Sequence, residues 1–184
     1  MRAAVIFMNG FEEVEGLTVV DMLRRLDITC DIVGKTSEVT GAHSITIKSD
    51  RLLEEIKSEE YNAVILPGGL PGATNLRDDE KVMTVLKEMN SEGKIVAAIC
   101  AAPIALHQAG VLKDKHFTCY DGVQENISDG IYRKETVVVD VNLTTSRGPS
   151  TALAFAYELV EQLGGDAESL RVGMLYRDVF GNQE

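Results

Sequence analysis

The sequence predicts an α/β fold in which a mostly parallel central sheet lies between two layers of helices. Short β-rich runs alternate with longer segments whose apolar residues recur every three or four positions. Several of the short runs are apolar at nearly every position, as expected for parallel strands that helices cover on both faces. We therefore predict a three-layer, doubly wound α/β sandwich of the flavodoxin-like kind.

The individual elements are predicted in chain order. Four strands are expected, at AAVIFM (3–8), ITCDIV (28–33), NAVILP (62–67) and KIVAAI (94–99). Helical periodicity is present in VEGLTVVDMLRRL and DEKVMTVLKEM. TVVVDVNLTTS, with a break at Asp140 to Asn142, predicts a hairpin, and a final long helix is expected to begin near Pro149.

Composition excludes several classes of protein. A length of 184 residues with 45% hydrophobic content fits one domain spanning residues 1–184. The formal charge of -11 repels nucleic acid and anionic lipid. No apolar run reaches the roughly 18 residues of a membrane span, and the first residues show no signal-peptide pattern, so we expect a cytoplasmic protein. The sequence has no CxxC, GxGxxG or GxxxxGK[ST] pattern, and we expect neither a metal nor a cofactor.

Cys100 is the candidate nucleophile. It ends a predicted strand, and Pro103 suits the first turn of a helix, so the thiol is expected on a sharp strand-to-helix turn. A helix N-terminus favours the thiolate, which predicts a pKa below the ordinary value. Buried filler is the common role of a free cysteine, and that interpretation is kept for Cys30; Cys119, at the end of a short predicted strand, is intermediate.

Two neighbouring loops provide partners for Cys100. After the third predicted strand, the glycines of PGGLPG allow close backbone approach, so the amides of Gly69 and Ala101 are expected to form an oxyanion site, supported by Gly68. After the first strand, the carboxylates of Glu12 and Glu13 are expected to stabilise the N-terminus of a helix by interacting with its dipole. Glu15 is expected to face Cys100 in a partly dry pocket, where its raised pKa suits proton transfer.

Arg147 allows two interpretations. Its cationic side chain could stabilise a thiolate, a sulfinate or a substrate carboxylate near Cys100. The alternative, which we favour, is that its segment ends a strand and begins the last helix, with Ser150 or Thr151 satisfying early N–H groups.

These stretches together resemble a known family. GFEEVE, LPGGLPGA, AAICAAP and TSRGPST, in this order, are similar to the ThiJ/PfpI superfamily, in the branch of the Parkinson's-disease-associated protein deglycase and its bacterial relatives. The resemblance covers nearly the whole chain. It implies a homodimer with a class I glutamine amidotransferase-like domain, in which Cys100 is the reactive cysteine, Glu15 a protonated carboxyl bonded to it, and Gly69 and Ala101 the oxyanion amides. The activities implied are conversion of methylglyoxal to lactate, removal of glyoxal adducts from proteins, and oxidation-linked chaperone behaviour.

Departures of this sequence from the family's pattern narrow the range of activities that it can share. Relatives often place a histidine about twenty residues after the cysteine, whereas here Tyr120 stands there. His107 is expected about 10 Å from Cys100 by the helical rise, and His43 and His116 are expected at the surface or in packing roles. The protease-like branch has histidine directly after the cysteine, where this chain has Ala101, and no histidine follows His116 to make the His-x-Glu pair of glutaminases.

Two classes of function remain open at this stage. The first is a cofactor-independent enzyme acting on 2-oxoaldehydes or their protein adducts, with Cys100 as nucleophile and Glu15 as proton shuttle. The second is an oxidation-sensing stress protein or redox-regulated chaperone whose output is oxidised Cys100. A cysteine peptidase, or the thiazole monophosphate role once attached to the family, has less support from the residues.

Overall fold

A seven-stranded sheet forms the centre of the protein, in a computed structural model that describes residues 1–181. The strands of this sheet are β1 (Arg2–Phe7), β2 (Thr29–Gly34), β5 (Arg51–Leu52), β6 (Ala63–Leu66), β7 (Ile95–Ile99), β10 (Val137–Asp140) and β11 (Leu143–Ser146). Their order in the sheet is β10-β11-β7-β6-β1-β2-β5. All neighbours are parallel except β10 and β11, which form an antiparallel pair.

Helices cover both faces of the sheet. In the described part of the chain they are α1 (Glu13–Arg25), α2 (Gly72–Asp78), α3 (Glu80–Ser91), α4 (Pro103–Gln108), α5 (Ala152–Gln162), α6 (Ala167–Gly173) and α7 (Tyr176–Phe180). One apolar core lies between the sheet and α2, α3 and α4, and a second lies between the sheet and α1, α5 and α6. Successive residues of β1 alternate between the two cores, as expected for a strand with both faces covered. The predicted three-layer α/β sandwich is confirmed.

Four predicted strands and the hairpin are present, with ends that differ by a residue or two. The hairpin turn lies at Val141 and Asn142, between β10 and β11. Near Pro149 the chain first makes a short 3-10 turn, Pro149–Thr151, and α5 begins only at Ala152. The helix that begins there is not the last one, because α6 and α7 follow it.

The sequence interpretation missed most of the short elements outside the sheet. These are the antiparallel ribbon of β3 (Glu38–Thr40) and β4 (Thr46–Lys48), strand β9 (Ile131–Tyr132) and helix α2. Strand β8 (His116–Phe117), which pairs in parallel with β9, corresponds to the short strand predicted to end at Cys119 and ends two residues earlier. Strands of two or three residues have too little periodicity to be recognised in a sequence. The ribbon positions a turn against α1, which bears on the site described below.

Candidate active site

Cys100 lies immediately after β7 in a conformation that few non-glycine residues adopt. Its φ is 64°, in the left-handed region. The neighbouring segments hold its backbone on both sides: its amide donates to the carbonyl of Ser146 at 3.0 Å, and its carbonyl accepts from the amide of Tyr120 at 2.9 Å. A residue that is strained and held in this way is typical of functional sites. The sharp turn predicted between β7 and α4 is therefore present, with the thiol half-buried.

Glu15 reaches the same point from the first turn of α1. Its side chain is fully buried. Oε2 accepts a hydrogen bond from the amide of Gly68 at 2.8 Å, and the carboxyl interacts with the thiol of Cys100. Oε1 is buried without a hydrogen-bond partner among residues 1–181. Among residues 1–181, no lysine, arginine or histidine is a cause of the pKa shift of Glu15, and burial outweighs the two hydrogen bonds that favour its negative charge.

Burial controls the pKa of both groups in this pair. It raises the pKa of Glu15 to about 7, against the opposing hydrogen bonds from Gly68 and Cys100. Burial, and then the charge of Glu15, raise the pKa of Cys100 to about 12, although the amides of Gly69 and Ala101 act to lower it. The predicted increase for Glu15 is confirmed. The prediction of a lowered pKa for Cys100 is wrong, because two amides do not outweigh burial together with an adjacent carboxylate. Near neutral pH the pair therefore carries at most one negative charge, which lies on Glu15, while Cys100 keeps its proton.

The two glycines after β6 are required by the crowding around this pair. A Cβ on Gly68 would lie 2.7 Å from Cβ of Cys100 and 2.8 Å from Oε2 of Glu15. Gly69 has a φ of 85°, and a Cβ there would lie 2.4 Å from the backbone nitrogen of Glu12. The chain after β6 can approach Cys100 this closely only without side chains at these two positions.

Replacement of Gly68 by alanine is expected to destabilise the protein by about 1–3 kcal/mol, since the new methyl group must displace Cys100 or Glu15. The free energy of unfolding, measured in urea, checks this value. Gly173→Ala is the matched control, because a Cβ there meets nothing within 4 Å and the residue lies in α6. An equal effect of both substitutions would contradict the packing described here.

Tyr120 and Arg147 lie beside the turn. Both line a surface cavity of about 260 Å³. Tyr120 is 54% exposed, and its amide donates to the carbonyl of Cys100. Arg147 pairs through Nη2 with Asp121. Thr151 accepts hydrogen bonds from the amides of Arg147 and Gly148, so this hydroxyl holds the preceding turn and does not cap α5.

The remaining histidines and cysteines lie elsewhere. His43, His107 and His116 each pair through Nδ1 with a carboxylate, at 2.9, 2.6 and 3.0 Å respectively. Cys30 and Cys119 are buried, and burial raises the pKa of Cys30 to about 12 and that of Cys119 to about 11. Among the three thiols, Cys100 alone is in part open to solvent.

The structure thus brings five of the seven residues predicted for the site together: Cys100, Glu15, Gly68, Gly69 and Ala101. The carbonyl of Ser146 was missed, although it fixes the amide of Cys100. The sequence contains a signal for it only if the strand order is known, because β11 lies next to β7 with Ser146 opposite Ile99.

Glu12 lies at the N-cap of α1 without a side-chain capping bond, and Glu13 contacts the turn between β3 and β4.

The described helices include none that is both long and apolar enough to cross a bilayer.

Comparison with known proteins identifies a family. The family model described as "DJ-1/PfpI family" matches residues 1–162. Over 167 residues the chain is 34% identical to Protein DJ-1 homolog B of Arabidopsis thaliana, and this match covers 89% of the chain but only 38% of that relative. The chain thus spans well under half the length of this plant protein.

Two further matches extend over nearly the whole of the relative. Deglycase PYRAB04690 of Pyrococcus abyssi is 34% identical over 166 residues, which are 89% of this chain and 99% of that protein. The crystal structure of Drosophila melanogaster DJ-1beta superposes with a TM-score of 0.91 at 35% identity, and covers 95% of this chain and 97% of the other. Sequence and structure agree, and the chain belongs to the DJ-1/PfpI family.

Proposed function

We propose that the protein is a cofactor-independent enzyme that acts on 2-oxoaldehydes or their protein adducts through Cys100. The observation that carries the proposal is the pairing of a strained, half-buried thiol with a fully buried carboxyl whose pKa is raised to about 7. An acid–base group is most effective when its pKa lies near the working pH. The name of the archaeal relative, a deglycase, supports the same class of substrate.

The first step is attack by the sulfur of Cys100 on the aldehyde carbon. A new S–C bond forms, and the thiol proton is taken up by ionised Glu15. The aldehyde oxygen becomes negative, and the amides of Gly69 and Ala101, which face the sulfur, are placed to donate to it. Glu15 returns its proton to that oxygen, which gives a hemithioacetal and leaves Glu15 ionised.

Glu15 then transfers a proton between the two oxygen-bearing carbons. Removal of the proton on the first carbon and its return to the second, with transfer of the hydroxyl proton from the first oxygen to the second, converts the hemithioacetal into a thioester of a 2-hydroxy acid. Addition of water and cleavage of the S–C bond release the acid and restore the thiol. The net reaction adds one water to the 2-oxoaldehyde, and needs no oxidant or reductant.

Lactate production from methylglyoxal by the purified chain tests this proposal. Cys100 is the accessible thiol, so limited treatment with iodoacetate should modify it before Cys30 or Cys119, as peptide mass spectrometry can verify. We expect lactate formation to fall in proportion to the fraction of Cys100 modified. Undiminished lactate formation after complete modification of Cys100 would exclude the mechanism.

A redox role is the second candidate, and the selective exposure of Cys100 favours it. Under this alternative, mild peroxide oxidises Cys100 to the sulfenic or sulfinic state while turnover of methylglyoxal stays at background. Comparable oxidation of all three cysteines would count against it. We further propose a homodimer, as the family resemblance implies, which sedimentation equilibrium can test.

A further inference from the structure

Glu12, Glu13 and His43 form a cluster of possible metal ligands at the start of α1, the helix that carries Glu15. Glu12 and Glu13 lie at the start of α1, and His43 lies in the turn between β3 and β4. One atom from each side chain lies within 4.8 Å of the others. Sequence motifs do not reveal the cluster, because 30 positions separate Glu13 from His43.

The spacing of these atoms suits a small divalent cation. Nδ1 of His43 lies 2.9 Å from Oε2 of Glu13 and 3.7 Å from Oε1 of Glu12. Zinc bonds to nitrogen and oxygen are about 2.0–2.1 Å long, so ligand atoms of a tetrahedral site lie about 3.3 Å apart. The two distances lie on either side of that value. Side-chain rotations that move these atoms by a few tenths of an ångström would bring both distances close to it.

The cluster also carries a net negative charge, although the amides of His43 and Ile45 donate to Oε1 of Glu13 at 2.7 and 3.5 Å. Glu12 and Glu13 expose 17% and 6% of their side chains, and within residues 1–181 the ion pairs of both carboxylates are with His43 alone. No lysine or arginine compensates them there. Two largely buried carboxylates beside one imidazole favour binding of a cation, since the energy cost of burying like charges is high.

The backbone holds the three residues in place without a metal. The amide of Gly10 donates to the carbonyl of Thr40, and the amide of Ala42 donates to the carbonyl of Phe11, each at 2.8 Å. Gly41 leaves room for Glu13, since a Cβ there would lie 2.3 Å from Oε1. A ligand set whose geometry exists before binding loses less conformational entropy when the cation binds.

We propose that Glu12, Glu13 and His43 form a binding site for a zinc-class divalent cation. The imidazole nitrogen favours zinc, nickel or copper over magnesium and calcium, which prefer oxygen ligands alone. His43 exposes 66% of its side chain, so the remaining coordination positions face solvent and take water. Bound metal would join the start of α1 to the turn between β3 and β4. Glu12 also contacts the candidate active site, because its backbone amide donates a hydrogen bond to the carbonyl of Gly68 at 2.9 Å.

Isothermal titration with ZnCl2 tests the site, with every variant made in a Cys100→Ala background so that the half-buried thiol cannot bind the metal. We expect one zinc per chain and a rise in the thermal unfolding midpoint at saturation. His43→Ala and Glu12→Gln should each weaken binding at least about tenfold, the scale on which loss of a supporting group already acts at metal sites. His107→Ala is the matched control, because it removes a histidine–aspartate pair without a second carboxylate, and should leave the affinity unchanged.

Two results would overturn the proposal. Absence of binding heat at millimolar ZnCl2 would show that the cluster is only an ion pair. Binding that persists equally in His43→Ala and Glu12→Gln would place the metal elsewhere. Circular dichroism of each variant confirms folding, and the exposure of His43 makes His43→Ala the substitution that disturbs the fold least.

Discussion

Cys100→Ser is expected to reduce kcat/KM for methylglyoxal by about 10³-fold or more, the scale on which removal of an enzyme nucleophile acts. Serine differs from cysteine by one atom and can occupy the same strained backbone at φ 64°. Its hydroxyl is a far weaker nucleophile than a thiol. The substitution thus removes the reactive atom while the turn, the Gly69 and Ala101 amides and Glu15 stay in place.

The matched control for this variant is Cys30→Ser. Cys30 lies in β2, is 3% exposed and contacts the apolar core instead of the candidate site. A buried hydroxyl there should cost stability, with turnover per folded molecule retained. Turnover by Cys100→Ser equal to that of wild type, measured as lactate formed over time, would refute nucleophilic catalysis by Cys100.

Glu15→Gln is expected to increase the free energy of unfolding by about 3 kcal/mol above pH 7. Burial raises the pKa of Glu15 from the ordinary 4.5 to about 7. Each pKa unit corresponds to about 1.4 kcal/mol. Glutamine keeps the size of the side chain and an oxygen that can accept the Gly68 amide, but it cannot become charged. The same variant should lose about 10²–10⁴-fold in turnover, the usual contribution of a general acid–base group.

The direction of the pH dependence follows from the raised pKa. Below pH 4.5 the carboxyl is protonated in both folded and unfolded protein, and wild type and variant should be equally stable. As pH rises from 4.5 to 7, the unfolded chain releases its proton while the folded protein retains it, so wild type loses stability relative to the variant. Above pH 7 the difference is constant. Urea unfolding at pH 4.5, 6 and 8 measures this profile.

Glu13→Gln provides a control of opposite sign in the same helical turn. Burial acts to raise the pKa of Glu13, but hydrogen bonds from His43 and Ile45 outweigh it and lower the pKa. Wild type should therefore be the more stable protein above pH 4.5 in this comparison. A Glu15→Gln variant that is less stable than wild type at pH 8 would show that Glu15 is not held in an unfavourable, uncompensated charged state.

The sequence by itself determined the α/β class and most of the strands of the sheet. Strands such as β1 and β7 are apolar at nearly every position because helices cover both of their faces, and this pattern is present in the sequence before any contact is known. Local chemistry likewise indicated a turn at Cys100, from the change between an apolar run and Pro103. Ribbon β3–β4 was missed because its strands are short and its hydrogen bonds join residues within a polar segment.

Only the tertiary structure decided the electrostatics of the site. The helix N-terminus beside Cys100 predicts a lowered pKa when considered alone, but burial and the neighbouring Glu15 reverse the direction. Those two causes depend on which groups the fold excludes from water and brings within contact, and neither quantity is encoded in the spacing of nearby residues. The cluster of Glu12, Glu13 and His43 has the same origin, because the ribbon brings together side chains that are far apart in the chain. Residue types and periodicity thus determine the fold, while charge and proton affinity depend on long-range packing.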